Sequence, residues 1–322
     1  MSELLKNIDA RTKLAGTNKL EILLFFLGVD QRTGRRETYG INVFKVREVM
    51  RTPVITAAPD MPPSVEGMVS LRGALVPVID LAKYSGIAPE KPREIMIVTE
   101  YNGHTQGFLV EGVDTILRLD WSKMRVPPEM LTSQTGGLVT AVTELDDNRL
   151  VMMMDVEKVL SETSTIDNES MFRGVVAVDR PDSTVFYCDD SSVARKQIER
   201  TLAAMGVKGI SAVNGRQMWD EMEKIATYAQ SIGKPPSSMI SLVLTDIEMP
   251  EMDGYILTKK IKSDPRFSSI PVIMHSSLSG MSNQKLGASV GVDEYVPKFE
   301  PMRLSETLAR RLGVEGLPVR AA

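Results

Sequence analysis

The sequence predicts a multidomain protein in which an all-β domain is followed by a doubly wound α/β domain. The chain has 322 residues, enough for two domains at roughly 150 residues each. Up to about Leu160, short apolar runs alternate with turn residues, whereas after Ser183 apolar runs alternate with stretches of helical periodicity. A polar stretch typical of a linker separates them. We expect residues 1–18 to form a helical leader, 19–163 the β domain, 164–182 the linker and 183–322 the α/β domain.

Composition and charge exclude several classes of protein. Hydrophobic residues make up 43% of the chain and charged residues 25%, as in ordinary globular proteins. The longest apolar run, Ile22–Val29, is far shorter than the roughly 20 residues of a membrane helix, and the N-terminus lacks a signal peptide's apolar core. The single cysteine, Cys188, excludes a disulfide framework. A net charge of −4 without a basic half argues against nucleic-acid binding. We expect a cytoplasmic protein that does not insert into a membrane.

The elements of the first domain follow in order from the N-terminus. Residues 1–18 carry a short apolar stripe that predicts a helix docked on the domain. Asn102 and Gly103 separate two apolar runs and predict a hairpin, because both residues tolerate a positive φ. Many short strands at this spacing favour barrels or a sandwich. Examples of the predicted strands are Glu21–Val29, Glu37–Val49, Ala74–Asp80, Glu94–Thr99, Thr105–Val110, Gly137–Leu145 and Arg149–Asp155.

Strands and helices alternate in the second domain. The strands are predicted at Thr184–Cys188, Val207–Val213, Met239–Leu244, Ile270–Met274 and Glu294–Val296. The helices are predicted at Ser191–Met205, Gln217–Ile232, Tyr255–Ser263, Asn283–Ser289 and Pro301–Leu312. This alternation, in about 140 residues, is typical of a doubly wound five-stranded parallel sheet.

Charged and hydroxyl side chains follow the predicted strands of this sheet. Asp189 and Asp190 follow the first strand, Asp246 the third, Ser276 the fourth and Lys298 the fifth. The carboxyl ends of parallel strands share one edge, so these side chains are expected to converge. Clustered carboxylates repel one another unless a cation lies among them, and Mg²⁺ prefers such oxygen ligands. Asp246 could then act as a nucleophile and form an acyl phosphate.

Each of these residues also has an ordinary structural explanation. Asp189 and Asp190 could cap a helix, Asp246 could belong to a turn, and Lys298 could be a solvated surface charge. Their conjunction at four strand ends favours a phosphorylatable site. For Tyr295, a core aromatic and a functional side chain both stay open.

These motifs resemble those of the response regulator receiver domain, over about Ser183–Leu312. The resemblance rests on Asp189-Asp190, Asp246, Met249-Pro250, Met252-Asp253-Gly254, Ser276 and Lys298. It implies a flavodoxin-like fold in which Asp246 is the phosphoacceptor. It also implies a Mg²⁺ ion held by Asp190, Asp246 and the main-chain carbonyl of Glu248, with Asp189 acting through water.

The same resemblance implies a switching apparatus around the phosphoacceptor. Ser276 would be the switch hydroxyl, Tyr295 the switch aromatic and Lys298 the phosphate-sensing lysine. The sequence departs from the family pattern in three respects. The span between Asp190 and Asp246 is longer, proline precedes rather than follows Lys298, and residue 276 is Ser rather than Thr. None of these departures removes a chemical group that the site needs.

The first domain carries no catalytic motif and resembles the CheW-like chemotaxis coupling domain, over about Lys19–Leu160. The resemblance rests on the stretches Tyr39–Val49, Val65–Gly73 and Val76–Leu81. It implies two small five-stranded β-barrels that bridge chemoreceptor tips and the regulatory domain of a histidine kinase. Glu48 and Arg72 are interface candidates, although each could be an ordinary surface charge or part of an ion pair. Their neighbours Val46 and Val49 could be interface or core.

A coupling domain followed by a receiver resembles the CheV-type coupling proteins. This resemblance implies an adaptor, at membrane-associated receptor arrays, that joins chemoreceptors to the histidine kinase CheA. Phosphorylation of Asp246 from a phosphohistidine of that kinase would modulate the coupling. We expect an adaptor rather than an enzyme. Two alternatives stay open: a phosphate sink that drains the kinase without altering coupling, and a phosphohydrolase with Asp246 as nucleophile and Glu248 as general acid.

Overall fold

A computed structural model of the chain describes residues 19–30, 34–88, 91–101, 104–128, 130–131, 137–163, 172–178, 180, 182–276, 287–298 and 300–314. The chain divides into two compact units, Met1–Thr165 and Ile166–Ala322. The predicted leader, residues 1–18, lies outside the described residues, as does most of the helix predicted at Asn283–Ser289. Among the described residues, no helix is long and apolar enough to cross a membrane.

The described part of the first unit is built mainly from strands. They are β1 (Lys19–Phe26), β2 (Val29–Asp30), β3 (Arg35–Arg36), β4 (Thr38–Asn42), β5 (Val46–Arg51), β6 (Val65–Leu71), β7 (Ala74–Asp80), β8 (Ile95–Tyr101), β9 (His104–Val110), β10 (Gly112–Asp120), β11 (Val139–Glu144) and β12 (Leu150–Met154). Between and after them lie two helices, α1 (Leu81–Ser85) and α2 (Val156–Thr163), and the 3-10 turns Val43–Lys45 and Trp121–Lys123.

Ten of these strands form two five-stranded sheets and β2 pairs with β3, which confirms the predicted all-β architecture. One sheet has the order β10-β1-β4-β12-β11 and the other β5-β8-β9-β7-β6. Most neighbours are antiparallel, but β12 runs parallel to β4 and β7 parallel to β9. A shared apolar core contains Phe25 from the first sheet, Phe108 from the second and Val159 from α2. Helix α2 therefore packs where residues of both sheets meet.

The hairpin prediction agrees with the strands that flank it. Strands β8 and β9 pair antiparallel with Tyr101 opposite His104, a register that leaves two residues for the turn. The turn residues Asn102 and Gly103 themselves lie outside the described residues.

Several elements of the first unit were not among those named from the sequence, and four of them have a local reason. Helix α1 has five residues, too few to show a helical period. Strand β6 contains Gly67, and a glycine inside a strand weakens the strand pattern in the sequence. The glycine is needed there because a Cβ would lie 2.2 Å from the main-chain oxygen of Thr56. Strand β10 lacks alternating burial, the signal of a half-buried strand. Helix α2 continues an apolar run, but Asp155 caps it by accepting the main-chain N–H groups of Glu157 and Lys158 at 3.0 and 3.1 Å.

The second unit has the predicted doubly wound, flavodoxin-like fold. Its strands are β13 (Thr184–Cys188), β14 (Lys208–Ala212), β15 (Leu242–Thr245), β16 (Val272–Ser276) and β17 (Glu294–Pro297). They form one parallel sheet in the order β14-β13-β15-β16-β17. The helices described over their full length are α3 (Ser192–Met205), α4 (Gly215–Ser231), α5 (Gly254–Ser263) and α6 (Pro301–Arg311), and Pro236–Ser238 is a 3-10 turn.

A separate apolar core covers each face of this sheet. Met222 of α4 and Ile261 of α5 pack on one face against Val243. Leu202 of α3 and Leu308 of α6 belong to the core on the other face. The apolar stripe of each helix is therefore the side that it turns towards the sheet.

Residues 172–178, within the segment predicted to be a linker, lie against the second unit. We call these seven residues the strap. Val178 is 5% exposed and belongs to the core that α3 and α6 form, and Val175 and Val176 pack against the same core. Its Val-Val-Ala-Val sequence is apolar enough to gain from this burial.

Candidate functional site

The acidic and basic residues identified in the sequence lie at the carboxyl edge of the parallel sheet. Asp189 and Asp190 directly follow β13, Asp246 follows β15 and Lys298 follows β17, while Ser276 is the last residue of β16. Because the strands that carry them are neighbours and run in the same direction, their ends bring these residues to one place.

Four of these residues form one cluster. Carboxylate oxygens of Asp189, Asp190 and Asp246 all lie within 4.8 Å of one another. The Nζ atom of Lys298 lies 2.7 Å from Oδ2 of Asp189 and 2.9 Å from Oδ2 of Asp246. Asp189, Asp246 and Lys298 are buried, and Asp190 is half-buried. Removing charges from water costs free energy that pairing offsets only in part, so the surrounding fold has to hold this cluster together.

Main-chain N–H groups orient two of the carboxylates. The N–H of Ser191 donates to Oδ1 of Asp189 at 2.9 Å, and the N–H of Ile247 donates to Oδ1 of Asp246 at 2.7 Å. In both residues the second oxygen, Oδ2, is the one that faces Lys298. The main chain thus turns both carboxylates towards the ammonium group.

Arg195 holds the main chain of the acidic loop. Its Nη1 atom donates to the main-chain oxygens of Asp189 at 2.6 Å and Asp190 at 2.9 Å. Arg195 lies in the first turn of α3, and helical side chains tilt towards the N-terminus, so its guanidinium reaches back to the loop. The sequence analysis missed this residue. The available signal was a basic residue in the first turn of a helix that follows two acidic residues.

Close packing beneath Asp246 requires a glycine at position 254. A Cβ on Gly254 would lie 2.0 Å from the main-chain oxygen of Asp246. The N–H of Gly254 donates to the main-chain oxygen of Ile247 at 2.9 Å, and the preceding Asp253 caps α5 by accepting the N–H of Ile256 at 2.7 Å. The Asp253-Gly254 pair therefore starts α5 directly beneath the acidic cluster.

Tyr295, on β17, packs against a small apolar cluster. It is half-buried, packs with Tyr255 and Met274, and shares a hydrogen bond with the Tyr255 hydroxyl. Burial raises the pKa of both tyrosine hydroxyls. A Cβ on Gly287 would lie 1.8 Å from the Tyr295 hydroxyl, so residue 287 has to be small. Tyr255 was not identified from the sequence, because its partner is 40 residues away in the chain.

The donor set of the cluster fits a hard divalent cation. Three carboxylates against one ammonium group leave an excess of two negative charges in a largely buried space. Carboxylate and carbonyl oxygens are the ligands that Mg²⁺ prefers. Glu248 lies in the loop after β15 with a half-buried side chain, two residues beyond Asp246. The residues that are present could therefore hold Mg²⁺.

Cys188, immediately before the acidic pair, is a structural residue. It is buried, and its thiol donates to the hydroxyl of Thr245 at 3.2 Å. The Thr245 hydroxyl donates in turn to the main-chain oxygen of Asp246 at 2.8 Å. Burial raises the pKa of the thiol, which disfavours the nucleophilic thiolate.

Two interface candidates of the first unit form an ion pair. Nη2 of Arg72 lies 3.0 Å from Oε2 of Glu48. Arg72 lies in the turn between β6 and β7 with a φ of 49°, in the left-handed region that is uncommon for a residue other than glycine. The pair joins this turn to β5, so both charges have a structural contact.

The two apolar interface candidates belong to the core. Val46 is 6% exposed and packs with the core that the two sheets share, so of the two explanations left open for it, interface or core, its burial favours the core. Val49 is half-buried and packs against the same core. The β5 register turns Val46 inward, which sequence alone could not decide.

Comparison with known proteins gives one family match for each unit. Residues 24–164 match the CheW-like domain and residues 185–309 match the response regulator receiver domain. The chemotaxis protein CheV3 of Helicobacter pylori is 29% identical over 301 residues, which are 92% of this chain and 95% of that protein.

Two further relatives are each similar to a part of the chain. The chemotaxis protein CheW of Klebsiella aerogenes is 32% identical over 49% of this chain and 93% of its own length. The chemotaxis protein CheY1 of Helicobacter pylori is 34% identical over 39% of this chain and 93% of its own length. The similarity to CheV3 therefore spans both units, whereas each of these two relatives covers less than half of the chain.

Proposed function

Because the chain belongs to the CheV-type chemotaxis proteins, which combine a CheW-like domain with a response regulator receiver domain, we propose that it couples chemoreceptors to the histidine kinase CheA. The CheW-like domain holds both partners at membrane-associated receptor arrays in the cytoplasm. The receiver domain accepts a phosphoryl group on Asp246 and thereby modulates the coupling.

The buried acidic cluster is the observation that carries the phosphorylation part of this proposal. It combines a carboxylate nucleophile, Asp246, with an ammonium group 2.9 Å from one of its oxygens. Charges of this kind are costly to bury, so a fold that assembles them from three strand ends favours a chemical role over a stabilising one.

The proposed reaction transfers a phosphoryl group from a phosphohistidine of CheA. A carboxylate oxygen of Asp246 attacks phosphorus, an O–P bond forms, the P–N bond breaks, and the histidine leaves with the bonding electrons. Lys298 contacts the Asp246 carboxylate and would stabilise the negative charge of the phosphoryl oxygens that come to lie beside it. Asp190, Asp246 and the main-chain oxygen of Glu248 would hold Mg²⁺, with Asp189 acting through water. When bound, the ion neutralises charge on the phosphoryl group.

The phosphoryl group changes the charge balance of the cluster and so biases the receiver between two states. Ser276 at the end of β16 would donate its hydroxyl to a phosphoryl oxygen. Lys298, released from part of its pairing with Asp189, would follow the new charge. Tyr295 would change its packing as the switch aromatic.

Transfer of label from the phosphorylated kinase tests the proposal directly. We would incubate labelled phospho-CheA with the wild-type chain and with Asp246→Asn, first with Mg²⁺ and then with EDTA. The expected result is label on the wild type alone, and only with Mg²⁺. Absence of transfer to the wild type would contradict the phosphoacceptor role and leave a scaffold.

A second measurement separates modulation from the alternatives. Binding of receptor tips and kinase is compared for the phosphorylated and unphosphorylated wild type. A change in affinity supports the modulated adaptor. Rapid loss of the phosphoryl group with unchanged affinity identifies a phosphate sink. Multiple turnover of small phosphate esters identifies a phosphohydrolase.

A further inference from the structure

The strap lies in a groove between α3 and α6. The guanidinium carbon of Arg200 lies 4.3 Å from the centre of the Phe172 ring. The N–H of Val176 donates to Oγ of Ser305 at 3.1 Å. The N–H of Val178 donates to the main-chain oxygen of Met205 at 2.9 Å. The strap is therefore held by stacking of Arg200 on the Phe172 ring, by two hydrogen bonds that its main-chain N–H groups donate, and by burial of Val178.

Both helices that line this groove begin at the acidic cluster. Helix α3 starts at Ser192, two residues after Asp190, and α6 starts at Pro301, three residues after Lys298. The strap also reaches the first turn of α6, because a Cβ on Gly174 would lie 3.4 Å from the sulfur of Met302. Lys298 thus lies three residues before the helix whose first turn the strap contacts.

We infer that the groove between α3 and α6 is a docking surface for the chain's own strap, and that phosphorylation of the acidic cluster loosens this docking. This inference rests on the proposed phosphorylation of Asp246, and release of the strap would be the structural change by which that phosphorylation acts. Oγ of Ser305 accepts the Val176 N–H and donates to the main-chain oxygen of Met302 at 2.8 Å. One side chain therefore ties the strap to the first turn of α6.

Release of the strap has a geometric consequence for the coupling unit. While docked, the chain that enters the second unit is held on its surface from Phe172 onward. Once released, the seven residues of the strap can add up to about 25 Å of extended chain to the connection between the units. Phosphorylation would thus change how far the coupling unit can reach from the receiver.

Hydrogen exchange of the full chain tests this inference. The chain is treated with a small acyl phosphate and Mg²⁺, and intact mass reports the added phosphoryl group. We expect the amides of Val176 and Val178 to exchange at least about fivefold faster in the phosphorylated chain, because loss of docking exposes them. Amides of β8 and β9 in the coupling unit serve as an internal reference and should not change.

Two variants control the experiment. Asp246→Asn should gain no phosphoryl mass and show no change in strap exchange. Ser305→Ala removes the acceptor of the Val176 N–H and should speed exchange of that amide without any phosphoryl donor, while Asp246 still gains the phosphoryl mass. If the wild type is phosphorylated and its strap exchanges at an unchanged or slower rate, the inference about the strap is overturned, while the proposed phosphorylation of Asp246 stands. A wild type that gains no phosphoryl mass overturns the proposed function and the inference with it.

Discussion

Two carboxylate–cation pairs of nearly equal length lie in opposite surroundings in the two units. In the receiver, Lys298 and Asp246 are 2.9 Å apart, with side chains 3% and 6% exposed. In the coupling unit, Arg72 and Glu48 are 3.0 Å apart, with side chains 71% and 20% exposed. An exposed pair contributes at most about 1 kcal/mol, because water and salt screen it. The distance alone therefore does not distinguish a chemical site from a surface contact, whereas burial does.

Replacement of Lys298 should have the largest effect on stability. In Lys298→Met the stem is retained but the buried carboxylates of Asp189 and Asp246 lose their cation. Removal of one partner from a buried ion pair costs about 3–5 kcal/mol. We expect a loss of that size in the free energy of unfolding, measured by urea denaturation in EDTA.

The matched control is Lys260→Met, which removes a lysine on α5 that stacks on Trp219 at 4.2 Å and lies outside the acidic cluster. Its expected cost is about 1 kcal/mol. Equal losses of unfolding free energy in the two variants would contradict the expectation that the buried ion pairs of Lys298 stabilise the chain more than an ordinary lysine contact does.

Replacement of Asp190 should separate metal binding from stability. In Asp190→Asn one of three clustered carboxylates becomes neutral. We expect Mg²⁺ affinity to fall about tenfold or more, because even partners outside the ligand set of a metal contribute that much. We also expect the metal-free variant to unfold at a higher temperature than the wild type, because repulsion within the cluster is reduced.

Calorimetric Mg²⁺ titration and thermal unfolding in EDTA provide the two measurements. A variant that binds Mg²⁺ as tightly as the wild type would show that Asp190 is not part of the metal site.

Replacement of Arg195 tests whether main-chain support matters to the site. Arg195→Met removes the two hydrogen bonds to the main-chain oxygens of Asp189 and Asp190 but retains the apolar stem. Hydrogen bonds from a charged donor contribute about 1.5–3 kcal/mol. We expect a several-fold loss of Mg²⁺ affinity, which Arg195→Lys partly restores, since a lysine can donate to the same oxygens. Equal Mg²⁺ affinity in wild type and Arg195→Met would limit this arginine to a structural role.

The exposed pair should show the smallest effects on stability. Glu48→Gln removes the charge interaction and should cost less than about 1 kcal/mol. Arg72→Gly removes the same interaction but also relieves the positive φ at residue 72, which should stabilise the chain by about 0.5–1 kcal/mol. Urea denaturation of both variants measures these changes. A loss above about 2 kcal/mol in either would show that the exposed pair is as important as the buried one.

The alternation of strands and helices made the receiver largely predictable. The strand prediction at Thr184–Cys188 coincides with β13, and most helix boundaries agree within two residues. In such a fold the carboxyl ends of the parallel strands lie at one edge of the sheet. The positions of Asp189, Asp246 and Lys298 directly after predicted strands therefore already imply that they converge. The coupling unit was less predictable, because its pairs β4–β12 and β7–β9 join strands that are distant in sequence.

The sequence by itself determined the two fold classes, the order of the strands along the chain and the set of charges at the receiver's strand ends. Periodicity and local turn chemistry encode these features, and both are properties of short segments. Only the tertiary structure decided that Val46 faces a core, that Arg195 donates hydrogen bonds to the main chain of the acidic loop, and that the hydroxyls of Tyr255 and Tyr295 share a hydrogen bond. It also placed Val178 of the predicted linker in a core. Each of these depends on contacts between distant segments, which form only when the whole sheet and its helices pack together.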